Sequence, residues 1–464
     1  MNYFHNHIYP RMPVFLQNMA ISAFGFTWRN RRLGGFFQRE RKAFKAREMF
    51  TFDQWSSYQE EELRKLLIHA YTTVPYYQTT YSKLGIELGD LRQFKLNQLP
   101  ELPVLEKETL RNFGETDLLS SSKQPGRKFF TSSGSTGTPV NILFSSSAQQ
   151  KWYAAYEARC RNWAGVDYRS SRAMIGGRKI VFGNPGKPPF HRVNFAENQI
   201  YFSIVHLSSD NFKWYYKALQ QERPVYLTGY STSIYLLARY LLDLNFTPIK
   251  LRAVIGSSEK LTDQMKKVIA EAFLCPVYDS WSGIEACGLI SENQDGNLYV
   301  SPDTGIIEFT DSNFKKVEYG EEGEMICTGL INYDQPLIRY RIGDLAIPLK
   351  PLEGEKDIKM PRVKEIVGRV DDIITLKDGR QLSSFNRFFA DIDGIKEAQV
   401  VQIDLDKFQI NLVADTSQNS RIKEEIVTSL QSRLGNIHID IVELSEIKRM
   451  PNGKFKAVIS NVKR

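Results

Sequence analysis

The sequence predicts an α/β protein: a large N-terminal domain of mixed sheets and helices, followed by a small α+β C-terminal domain. Three observations carry this. Arg252 to Gly256 reads as a buried strand, Thr262 caps a helix with an apolar face, and Cys275 to Tyr278 reads as the next strand. Beyond about residue 345 the texture changes to short alternating strands around one helix. And 464 residues exceed what one ordinary core organises, so two or three domains are expected.

Taken in order, Pro13 to Thr27 is apolar but interrupted by Gln17, Asn18 and Ser22. It is too short and broken to span a bilayer, and it lacks a convincing signal-peptide cleavage site. The favoured reading is an amphipathic helix capping the large domain; the alternative is a peripheral membrane contact through the basic N-terminus. Leu63, Leu66, Leu67, Ala70, Tyr71 and Val74 recur at helical spacing, predicting a helix over 60–74 that Pro75 stops. Ser120 to Gly126 is loop-like and leads into a strand at Phe129–Thr131. In the helix after Thr262, Met265, Val268, Ile269 and Phe273 face inward. In the C-terminal region Asp378-Gly379 marks a hairpin after Ile373 to Leu376. Strands near 398–404 and 408–414 follow, then a helix near 421–434 ended by Gly435. A last strand covers Ile437 to Leu444.

Composition narrows the function. With 42% hydrophobic and 25% charged residues the chain is globular rather than disordered. Cys160, Cys275, Cys287 and Cys327 lie far apart, without a zinc spacing, and read as reduced thiols. The six histidines form no HExxH motif. A net charge of +8 suits nucleic acid, a membrane surface or an anionic substrate such as a nucleotide. No nucleic-acid-binding module accompanies it, so nucleic acid is not expected as a partner.

The main chemical signal is the run Thr131-Ser132-Ser133-Gly134-Ser135-Thr136-Gly137-Thr138-Pro139. Hydroxyls and glycines at this density offer N–H and O–H donors to an oxyanion. It is not a Walker A loop, because no Gly-Lys-Ser/Thr follows. Taken alone it is more often a surface turn; its companions change that. The loop resembles the signature of the adenylate-forming superfamily of acyl-CoA synthetases, luciferases and peptide-synthetase adenylation domains. Four further segments match in order. Pro276 to Glu285 is similar to the aromatic-Gly-x-Thr-Glu segment, and Thr328 to Asp344, containing Pro336-Leu337-Ile338-Arg339-Tyr340 and Gly343-Asp344, to the Pro-Leu-x-Arg-Tyr-x-x-Gly-Asp segment. Gly368 to Asp372 resembles the hinge and Pro451-Asn452-Gly453-Lys454 the C-terminal lysine loop. Within the superfamily the chain looks most like the branch of phenylacetate–coenzyme A ligases and CapK-like capsular-biosynthesis proteins. His69-Ala70, Val74-Pro75-Tyr76-Tyr77, Leu102 to Lys107 and Gly229-Tyr230-Ser231 support that branch.

The resemblance implies roles. Ser133, Gly134, Ser135, Thr136, Gly137 and Thr138 would hold the ATP phosphates, with Thr136 also catalytic. Glu285 would bind Mg²⁺, a hard cation suited to carboxylate and phosphate oxygens. Trp281 would stack on adenine, with Tyr278 as rival, and Asp344 and Arg369 would hold the ribose. Lys454 would neutralise charge as the mixed anhydride forms. Asp371 would be the hinge, dividing residues 1–368, which hold the ATP and carboxylate site, from a small domain at 369–464 that rotates about it.

The implied activity is ATP- and Mg²⁺-dependent conversion of a carboxylic acid to an acyl-AMP, then acyl transfer, coenzyme A being the default acceptor. An amine, a sugar hydroxyl or a carrier protein are alternative acceptors, in a cytoplasmic protein with surface-polysaccharide biosynthesis as context. Departures from the pattern are Val140 where many members have lysine, Ile284 where a hydroxyl is usual, and the order Ser282-Gly283. They leave room for a catalytically inactive nucleotide-binding homologue. Ser291-Glu292-Asn293 and Asn297-Leu298-Tyr299 stand where relatives carry metal-binding cysteines and a histidine, so no zinc is expected.

Overall fold

The computed structural model describes the chain except residues 1–2, 133–138, 183–186, 355–356, 370–373, 378–380, 383–388, 390–391, 393, 415–418, 435–436, 451–452 and 463–464. It divides into a larger unit, Met1–Ile342 with Ala346–Glu365, and a smaller one, Gly343–Leu345 with Ile366–Arg464.

The larger unit opens with six helices: α1 (Val14–Leu33), α2 (Phe37–Arg47), α3 (Phe52–Thr73), α4 (Pro75–Lys83), α5 (Leu88–Arg92) and α6 (Lys107–Phe113). α3 begins well before the apolar spacing that predicts it. Thr51 starts it, its hydroxyl accepting the Gln54 N–H while the Gln54 side chain returns a bond to the Thr51 N–H. Pro75 ends α3 and opens α4, where a missing N–H costs nothing. A hairpin of β1 (Lys128–Thr131) and β2 (Asn141–Phe144) follows, and α7 (Ser146–Tyr156) leaves it.

Next come β3 (Arg172–Gly176), β4 (His191–Asn194), β5 (Gln199–Ser203), α8 (Phe212–Glu222), β6 (Tyr226–Tyr230), α9 (Ser231–Asp243), β7 (Ala253–Ser257), α10 (Asp263–Phe273) and β8 (Val277–Ser282). Thr262 caps α10 through the Met265 N–H, as the sequence predicts. β8 runs four residues past the predicted strand end. The strands β9 (Leu289–Glu292), β10 (Leu298–Val300), β11 (Gly305–Thr310), β12 (Gly323–Gly329), β13 (Tyr340–Leu349) and β14 (Arg362–Arg369) complete a 12-stranded sheet. Its order is β11-β12-β13-β14-β10-β9-β8-β7-β6-β3-β5-β4. From β8 to β5 every pairing is parallel.

Parallel strands need cover on both faces, and β7 shows how the sequence supplies it. Val254 packs with Ile234, Leu237, Ile269 and Phe273 from α9 and α10, while its neighbours Ala253 and Ile255 pack with Tyr226 and Tyr278 in a separate cluster. Each side chain of that size taken fully from water is worth about 1.5–3 kcal/mol.

The smaller unit has the pair β15 (Ile374–Thr375) and β16 (Gln381–Leu382), then β17 (Ile395–Asp404), β18 (Lys407–Ala414), α11 (Asn419–Leu434), β19 (His438–Glu443) and β20 (Val458–Ser460). Its sheet order is β19-β18-β17-β20. Phe408, Ile410 and Leu412 alternate along β18 and meet Ile422, Ile426 and Leu430 of α11. The sequence-predicted last strand is not the last: β20 adds in parallel beside β17. The turn at Asp378-Gly379 and the helix stop at Gly435 lie outside the described residues.

Candidate functional site

Parallel pairing puts the carboxyl ends of β3, β6, β7 and β8 on one side of the sheet, at Gly176, Tyr230, Ser257 and Ser282. β3 has β5 on one side and β6 on the other, so the chain leaves it in opposite directions. Ligands of open α/β sheets bind in the crevice at such a point. On its rim Glu259 caps α9, its carboxylate accepting the Thr232 N–H at 3.0 Å and its carbonyl the Ser231 hydroxyl at 3.1 Å. Beside it, Lys260 pairs with Glu365 at 3.1 Å.

Glu285 sits on the turn after β8, which the Ala286 N–H closes onto the Gly283 carbonyl at 3.2 Å. Its side chain is buried. A Cβ on residue 283 would stand 2.4 Å from Glu285 Oε2, so the carboxylate occupies the space that only glycine leaves open. The Ser282-Gly283 order thus has a physical reason here. Carboxylate oxygens suit Mg²⁺, which keeps several waters and takes few protein ligands. No group of three metal-ligating side chains occurs among the described residues. Ile284, beside the glutamate, is exposed.

Tyr278 and Trp281 fall on opposite faces of β8 because strand side chains alternate. Tyr278 is buried against Tyr226, Ala253 and Ile255. Trp281 is half-buried. Between them Asp279 has its carboxyl pushed up to about 7 by desolvation, against the pull of Lys266. Lys266 is itself bound to Glu292 at 2.7 Å.

The segment 332–341 is tied to distant parts of the larger unit by many bonds. Asn332 donates to the Leu143 carbonyl at 3.0 Å and Gln335 accepts the Leu143 N–H at 2.7 Å. Asp334 accepts the Ser145 N–H at 2.8 Å and pairs with Arg127 at 2.8 Å. The Tyr77 hydroxyl donates to the Pro336 carbonyl at 3.0 Å and accepts the Ile338 N–H at 3.1 Å. His69 meets the Tyr333 carbonyl at 2.9 Å. Arg339 is buried, forks onto Glu308 with two bonds of 3.0 Å, and donates to the carbonyls of Pro100 and Leu102. Leu105 exchanges backbone bonds with Arg339 and Arg341. The N-terminal motifs around His69, Tyr77 and Leu105 therefore grip one later segment.

In the smaller unit Asp344 Oδ1 accepts from Arg369 at 3.1 Å, so the two expected ribose residues are brought together. Lys454 is half-buried on a short turn. The Gly453 N–H bonds the Met450 carbonyl at 2.8 Å, the Met450 N–H bonds the Lys454 carbonyl at 2.9 Å, and Gly453 has φ +80°. Ser133, Gly134, Ser135, Thr136, Gly137, Thr138 and Asp371 lie outside the described residues. The flanks of the phosphate loop are described: the Ser132 N–H bonds the Val140 carbonyl at 2.8 Å and the Val140 N–H bonds Ser132 Oγ at 2.9 Å.

Sequence reasoning missed Glu259, Asn332, Asp334 and Gln335. The one local signal for Glu259 is its place just after a β-rich run; the other three are polar residues whose burial depends on partners nearly two hundred positions away.

Residues 374–461 match the family described as CapK C-terminal domain. The chain is 30% identical over 475 residues to Protein CapK of Staphylococcus aureus, covering 99% of this chain and 100% of that one. It is 23% identical over 439 residues to a phenylacetate-coenzyme A ligase of Aromatoleum evansii, covering 89% and 96%. Among solved structures, 2-hydroxyisobutyryl-CoA ligase in the postadenylation state, in complex with R3-HIB-AMP, superposes with a TM-score of 0.70 at 18% identity, over 90% of this chain and 92% of that one. That likeness shows a shared fold.

Proposed function

The chain belongs to the CapK family, in the CapK and phenylacetate–CoA ligase branch of the adenylate-forming enzymes, and from that premise we propose that it activates a carboxylic acid with ATP and Mg²⁺ as an acyl-AMP and then passes the acyl group to coenzyme A. The observation that carries this reading is Glu285, buried against Gly283 at the carboxyl end of β8, where an α/β crevice takes its ligand.

In the first half-reaction a substrate carboxylate oxygen bonds to the α-phosphorus of ATP as the bond to the pyrophosphate oxygen breaks. Two anions approach each other, so catalysis needs fixed geometry and positive charge that is strongest in the transition state. Glu285 would hold Mg²⁺, a cation whose charge would offset that of the phosphates. The Ser133–Thr138 loop donates hydrogen bonds to the departing phosphates. Lys454 places an ammonium between the carboxylate and the α-phosphate. Asp344, oriented by its bond to Arg369, accepts from the ribose hydroxyls, and Trp281 stacks on adenine. In the second half-reaction a thiol sulfur attacks the acyl carbon and AMP leaves with the bonding electrons. Asp371 is the hinge between the two steps, at the boundary between residues 1–368 and 369–464. The acid's context is surface-polysaccharide biosynthesis in the cytoplasm, by relationship to CapK.

Pyrophosphate and AMP release from ATP and Mg²⁺, screened over aryl, fatty, hydroxy and amino acids with coenzyme A present, tests the reading. Acid-dependent release of both, with equal loss of free thiol, supports it. Release without thiol loss moves the acceptor to an amine, a sugar hydroxyl or a carrier protein. A second reading, a nucleotide-binding protein without the reaction, is motivated by exposed Ile284 in place of a hydroxyl. Tight ATP binding with no AMP from any acid would establish that one instead.

A further inference from the structure

The helix α1 is apolar on the side its own fold leaves bare. Its inner side, with Gln17, Gly25 and Arg32 buried, packs on β4 and the turn after it. Asn18 Oδ1 accepts the Val193 N–H and Ser22 Oγ the Phe195 N–H, both at 3.0 Å; Arg29 donates to the Ala196 carbonyl at 3.0 Å. At 3.6 residues per turn, Phe15, Met19 and Phe26 form one stripe. They are 63%, 54% and 60% exposed, and Phe195, seated beside Ser22, is 69% exposed. Tyr3, Phe4 and Ile8 before the helix and Phe36 after it are exposed too. Single exposed apolar residues are ordinary, but a run of large ones along one side of a helix marks a contact surface.

Charge identifies what is contacted. No Asp or Glu precedes Glu40, while Arg11, Arg29, Arg31, Arg32 and Arg39 all fall before it. Arg31 and Arg32 turn inward, Arg31 to the Gly126 and Phe144 carbonyls and Arg32 to Glu197. Arg11 and Arg29 remain exposed before and on the helix; Arg39 after it is exposed too but pairs with Glu40 at 2.8 Å, its guanidinium 4.7 Å over the Phe36 ring. Pairing this face with a second copy of itself would set Arg11 and Arg29 against their counterparts, with no acid on the helix to offset them. A negatively charged surface that also accepts aromatic side chains fits both features. No helix among the described residues is long and apolar enough to cross a membrane.

We propose that the outer face of α1 seats on an anionic lipid bilayer. The helix lies in the plane of the surface, with Phe15, Met19, Phe26 and Phe195 at the headgroup–acyl boundary and the exposed arginines among the lipid phosphates. The reading is independent of the reaction proposed above and turns the larger unit into a peripheral membrane protein.

Cosedimentation of the full chain with phosphatidylglycerol-containing vesicles and with pure phosphatidylcholine vesicles tests it. The expected result is partitioning onto the anionic vesicles that weakens with salt, and little onto the neutral ones. The triple variant Phe15→Ser, Met19→Ser, Phe26→Ser should lower that partitioning by at least about tenfold. Because its residues are exposed, its melting curve should match the parent. Arg11→Glu with Arg29→Glu should lower anionic binding by a similar factor, and this pair carries the test if the triple variant melts early. No binding to anionic vesicles, or equal binding by both variants, overturns the proposal. So does light scattering that shows a parent dimer which the triple variant converts to monomer, since the occupant would then be a second copy.

Discussion

Two motif segments, 332–341 and 450–454, carry the same kind of resemblance and differ in the bonds seen among the described residues. In the first, side chains and backbone reach Leu143, Ser145, Tyr77, Pro100, Leu102 and Glu308, partners distant in sequence. In the second, two backbone bonds within five residues close the turn that carries Lys454. A motif is thus no single kind of evidence. Arg339 stands in the Pro-Leu-x-Arg-Tyr wording beside a ribose-binding candidate, yet its guanidinium is spent on Glu308 and two carbonyls. It builds the frame, whereas Lys454 carries the catalytic role proposed above.

Variants can break or sharpen that contrast. The largest effect expected is from Lys454→Ala: acyl-AMP formation falls by roughly a thousandfold, since a charge placed for the transition state is lost. Thioester formation from supplied acyl-AMP should stay within about threefold and the melting temperature unchanged. Normal adenylation by this variant would dissolve the contrast. Arg339→Met should do the reverse. Removing one partner of a buried pair leaves Glu308 uncompensated and costs about 3–5 kcal/mol of stability by denaturant titration. The fraction that remains folded should keep its turnover number. Tyr77→Phe deletes one hydroxyl that serves the Pro336 carbonyl and the Ile338 N–H, and should cost about 1–3 kcal/mol with little effect on rate. Gly453→Ala is expected to be smallest, about 1 kcal/mol, because a Cβ at φ +80° is strained. Its measurable signature is a several-fold drop in adenylation at unchanged ATP affinity.

The same contrast explains what the sequence disclosed. Features with local causes were legible: the Thr262 cap, the buried β7, the alternation along β18 and the existence of α11. Motif resemblance named Asp344 and Arg369 as neighbours of one sugar, though not their bond to each other. Features with distant causes were not. The extension of β8 through Trp281 depends on its antiparallel partner β9, and β20 is too short to announce itself without β17 beside it. The burial of Asn332, Asp334 and Gln335 makes sense only once the β1–β2 hairpin lies against them. The apolar outer face of α1 was visible as composition, but which residues it exposes was not.

The central claim is reversible formation of an acyl-AMP, and ATP–pyrophosphate exchange measures that step alone. With ATP, Mg²⁺ and a competent acid, labelled pyrophosphate should enter ATP in the absence of any acceptor, and Lys454→Ala should abolish the exchange. Acid-independent exchange, or none from any acid while ATP still binds, would contradict the account.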